Sequence, residues 1–253
     1  MSGSVGGAQP SGAEDGTAHM SDAHLGLARW LSIHDDLLRG LTHTLSNRIG
    51  TVAAAAHMVE LQPASLGNTA ATLHAEGERL EALLQLFRVL PRAEQDVPEP
   101  VIPTDMITQA TALQSHHAHL RAIPITVIRD GDVQPAYADP SALTLAVAVI
   151  LGTAQRATGS SGRVDVTISS TTDVVRIVAT GIPAEGAAPV LPDELVQADA
   201  LADASADALA NALADAAAVR WLLAGCGGLG EVSAHGAALE VPTLQAARRA
   251  RRS

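Results

Sequence analysis

The feature that most constrains this chain is a run of apolar residues at steps of three and four: Leu27, Leu31, Leu38, Leu41, Leu45, Ile49, Val52, Ala56 and Val59, with His34 filling one position of the series. That spacing lines one side of a helix of about 35 residues. Ser21 or Asp22 is suited to cap its start. Residues 1–21, rich in Gly, Ser and Ala, are expected to be disordered. "QPAS" (Gln62–Ser65) breaks the pattern, and a second stripe, Leu73, Gly77, Leu80, Leu84 and Phe87, runs on to Pro91. Residues 22–92 therefore predict a helical hairpin. Two helices alone bury too little apolar surface, so the hairpin is expected to pair with a second copy as a homodimeric four-helix bundle.

Residues 93–103, "AEQDVPEPVIP", read as an acidic, Pro-rich linker. From 104 to 244 the pattern changes to a mixed α/β layer of helices against a sheet. A helix is expected over 104–121 and a strand over 123–128. A buried helix follows over 139–158, started by Asp139. "RVDVTIS" and "VVRIVAT" alternate as paired strands about an "STTD" turn. An Ala-rich helix is expected over 193–223, then two short strands in "LGEVSAHGAALEVP". Residues 245–253 form a basic tail.

Composition narrows the function classes. The net charge of −11 argues against nucleic-acid binding. All 16 basic residues are Arg, which removes P-loop and Schiff-base lysine chemistry. No apolar run reaches the roughly 18 residues that span a membrane, and "MSGSVGGAQPSGAEDG" lacks the apolar centre of a secretory leader. With Cys226 as the one cysteine, no internal disulfide can form. A cytoplasmic protein without membrane attachment is the expectation.

In "LTHTLSNRIGTV" (residues 41–52), His43 lies two positions from both Leu41 and Leu45, about 200° around the helix. It is expected to face solvent, with Asn47 one turn on along the same face. His43, Leu45, Asn47 and Ile49 resemble the phosphoacceptor motif of two-component histidine kinases, whose dimerising hairpin precedes an ATP-binding domain. "EGERLEALLQLFRVL" resembles the second hairpin helix of that family, and "PAYADPSALTLAVAVILGTAQRA" the approach to its first ATP box. The resemblance covers about residues 22–242.

Three departures point to a degenerate member, similar to the histidine phosphotransferases that keep the hairpin and a vestigial ATPase-like α/β sandwich. Val149 and Thr153 stand where the family has its magnesium-binding asparagine box, and Val149 offers no oxygen ligand. Ala179 replaces the aspartate that would hold adenine. "DALADASADALANALADAAAV" replaces the second glycine-rich box, and its acids carry the wrong charge for a triphosphate.

The resemblance implies His43 as phosphoacceptor, Thr44 in place of the acid that would activate it, and Asn47 as a residue able to position water. It further implies Arg39 and Arg48 as contacts for a response-regulator receiver domain. No cofactor or metal of its own is expected, the Mg²⁺ being the receiver's. His43 Nε2 would attack the receiver's phospho-aspartate in line. The expected function is phosphoryl exchange between His43 and receiver aspartates without ATP. The alternatives are a catalytically inactive pseudokinase adaptor or a response-regulator phosphatase working through Asn47; an active kinase with unusual boxes is the third.

Other candidates read as structural. His34 has an acidic neighbour, Asp35, but lies on the apolar stripe with Leu38 where the motif wants Asn. "HHAH" (His116, His117, His119) has no flanking Cys or carboxylate and reads as a polar helix end. Cys226 lacks a basic neighbour, and "GCGGLG" follows a helix and precedes a strand, which reads as a helix stop.

Overall fold

The computed structural model describes residues 14–61, 66–90, 97–117, 123–158, 162–184, 203–233 and 236–252. Two antiparallel helices open the chain, α1 (Glu14–Leu61) and α2 (Leu66–Val89). The α/β layer contains β1 (Glu99–Val101), α3 (Pro103–Gln114), β2 (Ile125–Asp130), β3 (Ala136–Ala138), α4 (Pro140–Ala157), β4 (Gly162–Ser170), β5 (Val174–Pro183), α5 (Asp203–Leu223), β6 (Leu229–Ser233), β7 (Gly236–Pro242) and α6 (Leu244–Ala250). The expected architecture of helices plus a mixed α/β layer is what the chain forms.

The main sheet has the order β2-β4-β5-β7-β6, parallel between β2 and β4 and antiparallel elsewhere. Period-two alternation sets its faces: Val164, Val166 and Ile168 of β4 point inward with Val175, Ile177 and Ala179 of β5. The outer face is polar there, and Arg176 on it pairs with Glu240 and Glu231. α4 lies against the inner face and is buried nearly all round, from Leu143 to Ala157. That matches its continuous apolar sequence. Asp139 caps it, accepting from the Ala142 amide at 3.0 Å, and Pro140 occupies the first turn, where its missing N–H costs nothing. At Gly181 of β5 a Cβ would sit 2.3 Å from the Ala154 carbonyl, so only glycine lets β5 approach α4 this closely.

Several expectations are corrected. α1 begins at Glu14, not after Ser21 or Asp22, so residues 14–21 are helical. Asp22 lies inside the helix, and its carboxylate pairs with Arg220 of α5 at 2.8 Å. The linker over 93–103 contains β1, antiparallel to β3, and Pro103 starts α3. α3 stops at Gln114, short of residue 121; its expected last residues, 118–121, are outside the described residues, as are 193–202 of the expected Ala-rich helix. The basic tail is α6: Thr243 caps it, Arg249 pairs with Asp173, and the Arg251 guanidinium lies 5.0 Å from the Tyr137 ring centre.

The largest correction concerns the hairpin stripes. In α1 the line buried within the chain is Gly26, Trp30, Ile33, Leu37 and Leu41, one position off the expected series at its start. Leu31, Leu38 and Ile49 of the expected stripe are exposed, and Leu27 and Leu45 half-buried. In α2 the buried line is Thr69, Glu76 and Leu83, continued by Leu90 just past its end; Leu73, Leu80 and Phe87 are half-buried, Gly77 and Leu84 exposed. The reason is that the chain supplies a second neighbour for the hairpin. The first half of α1 packs on α5, where a Cβ on Gly26 would meet the Ala217 carbonyl at 2.4 Å. Trp30, Leu37 and Leu41 share one buried cluster with α4 and the sheet.

Candidate functional site

α1 has three faces. Its inner seam carries Leu37, Leu41, Thr44 and Arg48. An uncovered apolar stripe carries Leu31, Leu38 and Ile49. At 100° per residue His43 lies about 100–160° from the residues of both, on a polar face with Asp36, Arg39 and Asn47. His43 and Asn47 are exposed, as their spacing predicts.

Asn47 Nδ2 is 3.3 Å from His43 Nδ1, one helical turn away. In that arrangement Nδ1 accepts and a neutral ring carries its proton on Nε2. Turning the amide end for end presents Oδ1 instead, which draws the ring proton to Nδ1 and leaves the Nε2 lone pair facing solvent. Asn47 is thus placed to select the tautomer of His43.

Thr44 faces the other way. Its hydroxyl lies 3.0 Å from the Gly40 carbonyl and 3.2 Å from Nδ1 of His116. It packs α1 against the end of α3. His116 is half-buried, and burial first, then the nearby Arg48 charge, holds its imidazole below the ordinary histidine value.

The two arginines expected to meet a partner are both in ion pairs. Arg39 is exposed and contacts Asp35 at 2.6 Å and Asp36 at 3.5 Å along its own helix. Arg48 instead crosses the hairpin, with one guanidinium nitrogen 3.1 Å from each Glu76 oxygen. Glu76, almost wholly buried, also receives Arg79. Burial pushes its carboxyl up, and Arg79 and Arg48 more than offset that, holding it below the usual carboxylate range.

The positions compared with an ATP site are in the core. Val149, Thr153 and Ala179 are all buried. Thr153 Oγ1 sits 2.7 Å from Oδ2 of Asp215 on α5. Asp215, 1% exposed, also takes Arg29 of α1 at 2.6 Å and Arg156 of α4. One buried carboxylate therefore ties α1, α4 and α5 together. Sequence reasoning missed this because Arg29, Thr153 and Arg156 lie 186, 62 and 59 residues from Asp215 along the chain. An acid within an Ala-rich helix otherwise reads as surface.

The remaining candidates fall out as structural. His34 is half-buried and edge-on to Trp30, with ring centres 5.7 Å apart. His116 and His117 follow the end of α3, and His119 lies outside the described residues. Among the described residues no three His, Cys, Asp or Glu side chains cluster as metal ligands would. Cys226 closes a 3₁₀ turn, and Gly227, with φ 71°, ends it in the left-handed conformation expected of a helix stop. Burial pushes the Cys226 thiol up, which disfavours the reactive thiolate. Leu209–Cys226 is long and apolar enough to cross a membrane by length and composition alone. In the fold α5 packs on α1 and α4, and carries the paired Asp215 and Arg220.

No family model matches the chain, and no curated protein does. Solved structures do match. A bacterial phosphotransferase is 13% identical over 83% of this chain and 95% of its own, with TM-score 0.37. A histidine kinase from Burkholderia phymatum is 17% identical over 85% of this chain and 97% of its own, with TM-score 0.38. Full-length ShkA in complex with AMPPNP is 20% identical over 83% of this chain, at TM-score 0.38, and this chain spans 45% of that one.

Proposed function

We propose that this chain is a histidine phosphotransferase of a two-component relay, exchanging a phosphoryl group between His43 and receiver-domain aspartates without using ATP. The observation that carries this reading is the placing of His43 with Asn47 on the one face of α1 that neither the chain's own core nor the uncovered apolar stripe uses. A docked receiver would reach Nε2 there. In the transfer the receiver's P–O bond to aspartate breaks as an N–P bond forms at Nε2, and the aspartate leaves as a carboxylate. The receiver's Mg²⁺ and cations would hold the phosphoryl oxygens. With its amide turned so that Oδ1 faces the ring, Asn47 would keep the ring proton on Nδ1, and Arg39 would meet the acidic rim of the receiver. Thr44 stands where the motif has its acid and is turned towards His116, so this position offers no carboxylate to activate His43 for attack on ATP.

Two further features support the reading. The positions that would serve ATP are committed to packing and to Asp215. Leu31, Leu38 and Ile49 of α1 and Leu84 of α2 are exposed apolar side chains that a second copy would cover, giving the four-helix bundle while leaving His43 free. The test is label transfer from a phosphorylated receiver domain, with and without ATP, beside sedimentation of wild type and Leu38→Glu. Transfer to a dimeric chain is expected, and Leu38→Glu is expected to be monomeric. Loss of label from the receiver without appearance on the chain would instead favour a phosphatase acting through Asn47.

A further inference from the structure

His116 lies in the turn just after α3, in the α/β layer, yet it touches the helix that carries His43. Its Nδ1 is 3.2 Å from Thr44 Oγ1, and Thr44 directly follows His43. The Thr44 hydroxyl proton goes to the Gly40 carbonyl at 3.0 Å. Its oxygen is then an acceptor, so His116 Nδ1 carries the proton and Nε2 is the basic nitrogen.

Among the described residues the charged groups around this contact are few. Arg48 is one turn further along α1, close enough to disfavour a charged His116. Glu76 of α2 is turned to Arg48 and Arg79. His117 adjoins His116 on its own segment.

We propose that His116 is a positioning residue for His43: its hydrogen bond to Thr44 fixes the end of α3 against the turn of α1 that presents His43, holding that face at one distance from the α/β layer. The proposal rests on His43 being the phosphoacceptor. Protonation of His116 would leave the hydrogen bond but set an imidazolium beside Arg48, loosening the joint. Because the folded state depresses its proton affinity, the contribution is present above the ordinary histidine value of 6.5 and is lost as pH falls below it.

Two measurements on the full chain test this. Long-range ¹H–¹⁵N spectra should show His116 as the Nδ1–H tautomer at about pH 8, titrating below the ordinary value. Its midpoint should rise in Arg48→Gln, and its tautomer preference should disappear in Thr44→Val. An Nε2–H ring, or a midpoint indifferent to Arg48→Gln, overturns the proposal. In label transfer from a phosphorylated receiver, His116→Ala should slow arrival at His43 on the order of tenfold, as a misplaced reacting group does. His116→Asn, which keeps an N–H at the same place without titrating, should restore most of the rate. It should also lose less rate than wild type on acidification to about pH 6. An unchanged rate in His116→Ala overturns the proposal. If wild type takes no label, the phosphoacceptor reading fails, and the spectra still decide whether His116 holds Thr44.

Discussion

Arg29 of α1 and Asp215 of α5 meet at 2.6 Å across 186 residues of sequence. Arg156 and Thr153 of α4 share the same carboxylate. Removing Asp215 leaves two arginines without their counter-charge. Asp215→Ala is therefore expected to cost about 3–5 kcal/mol in urea unfolding. A simultaneous change of Arg29, Arg156 and Asp215 to apolar residues of similar volume should recover much of that loss. An Asp215→Ala variant as stable as wild type would show that the network does not tie the hairpin to the α/β layer.

Two glycines of α1 should respond oppositely to alanine. Gly50 has open space around its Cβ position, so Gly50→Ala should gain up to about 1 kcal/mol from helix propensity. Gly26 has the Ala217 carbonyl 2.4 Å from that position, so Gly26→Ala should lose more by separating α1 from α5 than propensity returns. Thermal melts of the two variants give the sign directly.

Acid should destabilise the hairpin through Glu76. Its carboxyl is held below the ordinary value of 4.5, so its contribution is present above that pH and is lost as pH falls through the lower folded value. Glu76→Gln should lower the melting temperature at neutral pH and flatten its decline in acid. Equal acid slopes for both proteins would place the sensitivity elsewhere.

These relationships mark the limit of what the sequence discloses. Period 3.6 in 27–59 and 73–87 and period two in 163–180 were enough for the hairpin, the paired strands and the capped α4, because each is a local pattern. The exposure of His43 and Asn47 was legible for the same reason. What escaped depends on contacts between distant segments. The apolar stripe gave no sign that Leu37 would turn inward and Leu38 outward, since that choice is made by α5. Arg48 reads as an exposed partner contact in sequence, because its counter-charge, Glu76, lies 28 residues away on α2. His116 read as a polar helix end, and nothing local to "HHAH" points to Thr44, 72 residues earlier.

Asn47 tests the chemistry at His43. Asn47→Asp keeps an acceptor for Nδ1–H and should retain phosphoryl transfer, whereas Asn47→Leu removes it and should slow transfer about tenfold or more, the scale on which a lost orienting contact acts. If Asn47 acts only on water, both variants should lose receiver dephosphorylation and keep transfer to His43. Parallel time courses of the two reactions separate these outcomes.

On the proposed function, His43 takes a phosphoryl group from a receiver and not from ATP. The most direct measurement follows radiolabel from a phosphorylated receiver domain onto wild type and onto His43→Gln, with labelled ATP alone as the third reaction. Acid-labile, alkali-stable label is expected on wild type from the receiver, with none on His43→Gln and none from ATP. Label on His43→Gln, labelling of wild type by ATP alone, or no transfer from any receiver would contradict it.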